Sequence, residues 1–388
     1  MPAEKPVTPW RVLADDLTGA LDTAAVLGGG SAAVPVFLGR PGETTNLGVS
    51  VVATATRDVA PETLGGHLAP SLDWLAGGEA AYKKVDSLLR GNTFAELAWL
   101  QGQQPRRFRH IVFAPAYPAQ GRFTGGNQHW VGEPGSPGSI GDLRQRFATH
   151  GLRAVTGDTL DECRAAAGDQ PSVLVPRVLD DSALDAIAAW RHRPESRDWL
   201  WAGSAGLAQA LGRENQATIV STTLPRRPAG HGLLLVTCSR HAVVREQLSR
   251  LQNHLPDGLD LHDLSQSQPL SPDHADALLQ NRARDLATRL ARPGLLLVVG
   301  GDTLLALCRA AGVHALRAGA CARPGWGQAT LVGGAWDGVA CLSRSGAFGG
   351  PDDLIELTTQ LTTRLATQAT GARRPSGDAT AHPQESTA

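Results

Sequence analysis

A short, mainly apolar run, Trp10–Ala14 with Arg11 in it, stops at the acidic pair Asp15-Asp16. Beyond the pair, Leu17, Ala20, Leu21, Ala24, Ala25 and Leu27 recur at helical spacing until Gly28-Gly29-Gly30 interrupts them. The pattern predicts a strand, a tight turn and a helix. Further short segments at 33–38, 49–53, 80–85, 110–114, 172–176 and 198–202, mostly apolar or aromatic, predict buried strands, with helical stretches between them. Strands alternating with helices predict an α/β fold with a mostly parallel sheet. A second round follows: a strand at 232–237, helices at 241–252 and 273–291, a strand at 295–299, and helices at 303–311 and 351–366. Pro225-Arg226-Arg227-Pro228-Ala229-Gly230-His231-Gly232 reads as a linker between the rounds. The expectation is two α/β domains with a cleft between them, at residues 1–225 and 226–366. A polar tail at 367–388, rich in Ala, Thr and Pro, is expected to be disordered.

Composition narrows the function classes. Of 388 residues, 42% are apolar and 19% charged, as in ordinary globular proteins, and the net charge of −1 offers no general attraction to nucleic acid or an anionic membrane. The longest apolar run, 295–299, is far too short to span a bilayer, and the first ten residues lack a signal-peptide core. The five cysteines form no Cys-x-x-Cys pair, so a reducing, cytoplasmic setting is expected and a zinc site is not. The chain has no P-loop lysine motif, no histidine metal pattern and no nucleophile elbow; Gly203-Ser204-Ala205-Gly206 is one residue short of one.

Four polar clusters remain. Asp15-Asp16 sits where a strand turns into a helix, the place where α/β sheets bind ligands. One carboxylate there can cap the helix; a second is free to hold a hydroxyl or act as a base. Lys83-Lys84-Val85-Asp86-Ser87-Leu88-Leu89-Arg90-Gly91-Asn92 puts cations beside a strand end, suited to a carboxylate or phosphate, and Thr56-Arg57-Asp58 follows another strand. Gly300-Gly301-Asp302-Thr303 joins the most apolar strand to a helix, where glycines and the helix N-terminus suit phosphate. Gly333-Gly334 and Gly346-Ala347-Phe348-Gly349-Gly350 add two more glycine turns nearby. Each cluster also has a plain reading as cap, solvated turn or ordinary connection.

Taken in order, these motifs resemble the four-carbon acid sugar kinases. Ala14-Asp15-Asp16-Leu17-Thr18-Gly19-Ala20 is similar to that family's Asp-Asp-x-Thr-Gly opening, and residues 83–92 to its Lys-Lys-Ile-Asp-Ser-Thr-Leu-Arg-Gly-Asn signature. Pro115-Ala116-Tyr117-Pro118 with Gly121-Arg122, Gly203–Ala208, Gly300–Thr303, Pro324-Gly325, Gly333-Gly334 and Ser345–Gly349 follow in the family's order. The resemblance implies a kinase that moves the ATP γ-phosphate to an acid such as threonate, erythronate or an oxo-tetronate, with Mg²⁺ on the phosphates. It implies substrate contacts from Asp15, Asp16, Arg57, Lys83, Lys84, Val85, Asp86 and Arg90, with Asp16 catalytic. It implies ATP contacts from Ser239, Gly300, Gly301, Asp302, Thr303 and Gly346. The expected partners are a small-molecule acid and ATP, with neither nucleic acid nor membrane. The chain departs from the family at Thr237-Cys238-Ser239-Arg240, at Arg344 in place of a lysine, and in the short stretch after Arg122. A non-catalytic binding protein of the same fold, or a kinase for another small polyol or sugar acid, stays open.

Overall fold

The computed structural model describes residues 9–28, 33–42, 48–132, 138–213, 230–266, 268, 270–319, 325–346 and 349–371. In β1 (Trp10–Ala14), Val12, Leu13 and Ala14 are all wholly buried. Successive side chains enter opposite layers, Val12 and Ala14 one apolar cluster and Leu13 another, as expected for a strand covered on both faces. The other strands of the first half are β2 (Val34–Leu38), β3 (Val49–Ala53), β4 (Ala80–Lys84), β5 (His110–Ala114), β9 (Ala154–Gly157), β10 (Ser172–Pro176) and β11 (Trp199–Gly203). A separate antiparallel sheet of β6 (Arg122–Gly125), β7 (Gln128–Val131) and β8 (Ser139–Asp142) lies between β5 and β9 in the chain. The second half contributes β12 (His231–Thr237), β13 (Leu259–Asp263), β14 (Pro293–Val299), β15 (Ala315–Gly319), β16 (Gly327–Val332) and β17 (Ala340–Arg344).

The strands of the two halves form one sheet, in the order β13-β12-β14-β17-β16-β15-β2-β3-β1-β4-β11-β5-β10-β9. The outer parts are parallel; the three pairings β17–β16, β16–β15 and β15–β2 are antiparallel and carry the join. The fold is α/β with a large, mostly parallel sheet, in place of the two separate sheets expected. One apolar cluster spans the join, with Leu17 and Leu21 of the helix Leu17–Leu27 in the same cluster as Leu304 and Leu331. Both the boundary expected at 225/226 and most of the linker lie outside the described residues, as does the tail beyond 371. The last helix runs over Asp353–Gly371, a little longer than expected.

Two switch points follow from this order. In the first half β3 and β4 flank β1; in the second, β13 and β14 flank β12. At such a point the connections leave the strand on opposite sides and a crevice opens beyond the carboxyl ends.

Candidate active site

The first crevice holds the acidic pair. Asp16 caps the helix Leu17–Leu27: the Gly19 N–H donates to its Oδ1 (3.0 Å) and Thr18 Oγ1 to its Oδ2 (2.5 Å). Beyond β3 the chain turns back toward β1, and the Thr56 and Arg57 N–H groups donate to the Asp15 carbonyl (3.0 and 3.3 Å). The turn needs Ala55 at φ 55°, a left-handed conformation rare outside glycine and found where a site constrains the backbone. Arg57 thereby reaches both carboxylates, with Nε 2.8 Å from Asp15 Oδ2 and Nη2 2.9 Å from Asp16 Oδ1, and stands 3.9 Å from Asp86 Oδ1.

β4 divides its two lysines. Neighbours on a strand face opposite ways, so Lys83 leaves the crevice and pairs with Glu96 at 3.0 Å, both wholly buried. Lys84 enters it and donates to the Val85 carbonyl (2.9 Å). A Cβ on Gly19 would lie 2.9 Å from Lys84 Nζ and 2.5 Å from Asp16 Oδ1, so glycine there leaves room for both groups. Asp86 receives Arg90 through Nε and Nη2 (2.7 and 2.8 Å), a two-pronged pair with Leu89 at φ 53° in the turn between. Val85 packs in the core and presents its carbonyl. The structure thus gathers Asp15, Asp16, Arg57, Lys84, Asp86 and Arg90 and sets Lys83 apart.

The charges are balanced, and the acidities show it. Burial works against ionising Asp16, but Arg57, Lys84 and the bonds from Thr18 and Gly19 outweigh it and hold its carboxyl below the usual range. Asp86 is also opposed by burial, yet Arg90 and Arg57 bring it down to about 2. Asp22 goes the other way, up to about 6: close packing and the Asp16 charge raise it against Lys84. Solvent still reaches Asp22, which tempers the effect of that packing.

A second layer, not foreseen from the motifs, holds these groups in place. Asn92 Nδ2 donates to the carbonyls of Thr56 (2.9 Å) and Val59 (2.8 Å). Glu96 accepts from Thr56 Oγ1, which meets Thr54 Oγ1 at 2.7 Å, while Thr54 donates to the Ala14 carbonyl. From the small sheet, His129 Nε2 donates to the Ser87 carbonyl (2.8 Å), so its Nδ1 accepts from Thr124 Oγ1 (2.8 Å). Burial lowers the pKa of His129, which favours this neutral form.

The second half closes on the first. Gly300, at φ 117°, donates its N–H to the Arg344 carbonyl (2.9 Å) and starts the helix Gly301–Ala310. A Cβ on Gly301 would stand 3.2 Å from Thr18 Oγ1 and 3.5 Å from Asp16 Oδ2. The glycine turn therefore lies directly over the acidic pair. Burial, with Asp58 and Asp16 nearby, raises the pKa of Asp302 despite Arg57. Thr303 Oγ1 accepts from the Cys238 N–H (3.2 Å), and a Cβ on Gly346 would meet Ser239 Oγ at 2.5 Å. Ser239, Gly300–Thr303 and Gly346 thus share the ends of β12, β14 and β17. Arg344 is buried against Trp326 (4.8 Å) and paired with Asp353 (3.2 Å); Pro324, Ala347 and Phe348 fall outside the described residues.

These features define an α/β protein with a crevice of paired carboxylates and cations in one half and a glycine-rich turn pressed onto it from the other. Residues 10–156 match the family model of the sugar-binding N-terminal domain. The chain is 33% identical over 228 residues to a D-threonate kinase of Cupriavidus necator, covering 52% of the chain and 53% of the relative. It is 28% identical over 270 residues to a D-threonate kinase of Bordetella bronchiseptica, covering 62% of each. The chain thus spans between about half and three-fifths of the length of the curated relatives it matches. A solved structure from Haemophilus influenzae, of the family DUF1537, shares the fold at TM-score 0.64 and 18% identity, over 92% of this chain and 99% of that one. Another, from Salmonella typhimurium LT2, does so at TM-score 0.69 and 19% identity, over 91% and 99%. Each match is partial: the family model covers residues 10–156, and the similarity to the two D-threonate kinases extends over 228 and 270 residues.

Proposed function

We propose that the chain is an ATP-dependent kinase that phosphorylates a hydroxyl of a small four-carbon sugar acid: threonate, erythronate or an oxo-tetronate. The carrying observation is the approach of Gly301 to Asp16 and Thr18, because phosphoryl transfer needs the phosphate turn and the hydroxyl site within one contact distance. In this reading residues 1–225 hold the acid and residues 226–366 the nucleotide. Lys84, which keeps unused donors, and the partly exposed Arg90 draw in the acid's carboxylate. Arg57 holds Asp15 and Asp16 in register. Asp16, ionised at neutral pH, accepts a hydrogen bond from the attacking hydroxyl. As the hydroxyl oxygen bonds to the γ-phosphorus, the bond to the β-phosphate oxygen breaks, ADP leaves and the hydroxyl proton passes to Asp16. A carboxylate of depressed basicity suits a loose transition state in which the proton moves late.

The phosphates are assigned to Gly300–Thr303, Ser239 and Gly346, where backbone N–H groups and a helix N-terminus favour negative charge. Mg²⁺ would neutralise charge on the phosphates. Asp302 is the carboxylate that the turn itself would offer to such an ion. A panel of four-carbon acids, led by D-threonate because the curated relatives bear that name, tests the reading through ADP release with ATP and Mg²⁺. ADP formed only with an acid of the panel supports it. Bound nucleotide with no acid-dependent ADP from any member defeats the substrate class.

A further inference from the structure

One carboxylate of the first crevice has no part in the transfer. Asp22 lies four residues beyond Thr18 on the helix Leu17–Leu27, so the two share one helix face. Lys84 stands over that face: a Cβ on Gly19, between the two, would lie 2.9 Å from its Nζ. From the second half, β16 closes in, and a Cβ on Gly327 would stand 3.7 Å from Asp22 Oδ1. Tyr117, beyond β5, is also near. Burial raises the pKa of its phenol, and the Asp22 and Asp181 charges raise it further. Among the described residues no hydrogen bond engages the Asp22 carboxylate or the Tyr117 hydroxyl, and solvent reaches Asp22.

The crevice therefore has two unlike ends. Arg57 and the partly exposed Arg90 gather at Asp86, 3.9 and 2.7 Å from it. Asp22 and Tyr117 present an acceptor and a phenol whose hydrogen-bonding capacity is unspent. A hydroxyl suits that end. A second carboxylate does not, because it would face Asp22 charge against like charge. A site discriminates by what it repels as well as by what it holds. We propose that Asp22, with Tyr117, receives the hydroxyl end of the acid and excludes acids that carry a carboxylate at both ends. Asp22 is then the residue that selects aldonates over aldarates of the same length. The inference rests on the sugar-acid reading of the crevice.

Calorimetric titration of the full chain without nucleotide tests it, at pH 8, where Asp22 is ionised. The ligands are D-threonate and D-erythronate, each paired with the tartrate of matching configuration. The unaltered chain should bind an aldonate about a hundredfold or more tightly than its tartrate. Asp22→Asn, which keeps size and removes charge, should narrow that ratio about tenfold or more, chiefly by tightening tartrate. Asp22→Glu, which keeps the charge, should retain most of it. Tyr117→Phe should weaken the aldonate severalfold and leave tartrate little changed. A tartrate bound as tightly as its aldonate by the unaltered chain, a ratio unmoved by Asp22→Asn, or equal loss of the ratio in the Asn and Glu variants overturns the proposal. Unchanged aldonate affinity in Tyr117→Phe removes Tyr117 from it. If neither aldonate binds the unaltered chain, the sugar-acid reading fails and the role of Asp22 falls with it, a result distinct from aldonates that bind without discrimination.

Discussion

Arg57 is the keystone of the crevice, and removing it gives a stability change that the geometry apportions. Arg57→Met keeps the apolar stem and deletes the guanidinium. Asp86 loses little, because Arg90 holds it at 2.7 Å and Arg57 is 3.9 Å away. Asp16 keeps Lys84, Thr18 and the Gly19 N–H. Asp15 loses most: it is 2% exposed, its Oδ2 is held by Arg57 Nε, and its Oδ1 has no hydrogen-bond partner among the described residues. Stranding one partner of a buried pair costs about 3–5 kcal/mol, and the cost should therefore fall on Asp15. Urea unfolding followed by tryptophan fluorescence should show the loss for Arg57→Met. The double variant Arg57→Met with Asp15→Asn should recover about 2 kcal/mol, as a directly coupled pair does in a double-mutant cycle. A loss below about 1 kcal/mol for the single variant, or no recovery in the double, would refute the assignment of Arg57 as the counter-charge of Asp15.

Other outcomes follow from the same geometry. Asp16→Asn keeps a capping oxygen for Gly19 but removes charge and basicity, so kcat should fall about 10²-fold with the helix intact by circular dichroism. Gly301→Ala should raise helix stability by up to about 1 kcal/mol. Its Cβ, 3.2 Å from Thr18 Oγ1, pushes the two walls apart by a few tenths of an ångström, so kcat/KM should drop while the melting temperature holds or rises. Asp86, brought from its ordinary 3.8 to about 2, adds about 2 kcal/mol of stability that is complete above pH 4 and is lost as pH falls toward 2. Asp86→Asn should flatten that part of a stability profile measured by urea titration across the range.

Much of the fold is legible in single runs of residues. β1, β3, β5, β10 and β14 are buried on both faces and read as apolar segments with at most one polar residue each. β16 alternates buried and half-buried positions and contains Gln328 and Thr330, so no apolar run marks it; β6–β8 lie among glycines and polar residues. The joining of the two halves depends on β15 meeting β2 across most of the chain, which no local pattern announces. Of the residues singled out in the sequence, Asp16, Arg57, Lys84, Asp86 and Arg90 come together in one crevice. The separation of Lys83 from Lys84 was readable from the two-residue period of a strand, once β4 was taken to end at Lys84. Asn92 and His129 act on backbone carbonyls, and Glu96 on the Thr56 hydroxyl, some 36 to 42 residues away, and neither spacing nor type signals that.

The central claim is that the γ-phosphate goes to a sugar-acid hydroxyl and that Gly301 and Asp16 frame that transfer. Phosphorus NMR of the full chain with ATP, Mg²⁺ and the acid that releases most ADP tests it most directly. The account predicts a new phosphomonoester resonance growing in step with ADP, coupled to a carbon-bound proton of the acid, and suppressed by Asp16→Asn. Growth of inorganic phosphate alone, with the acid unchanged, would contradict it.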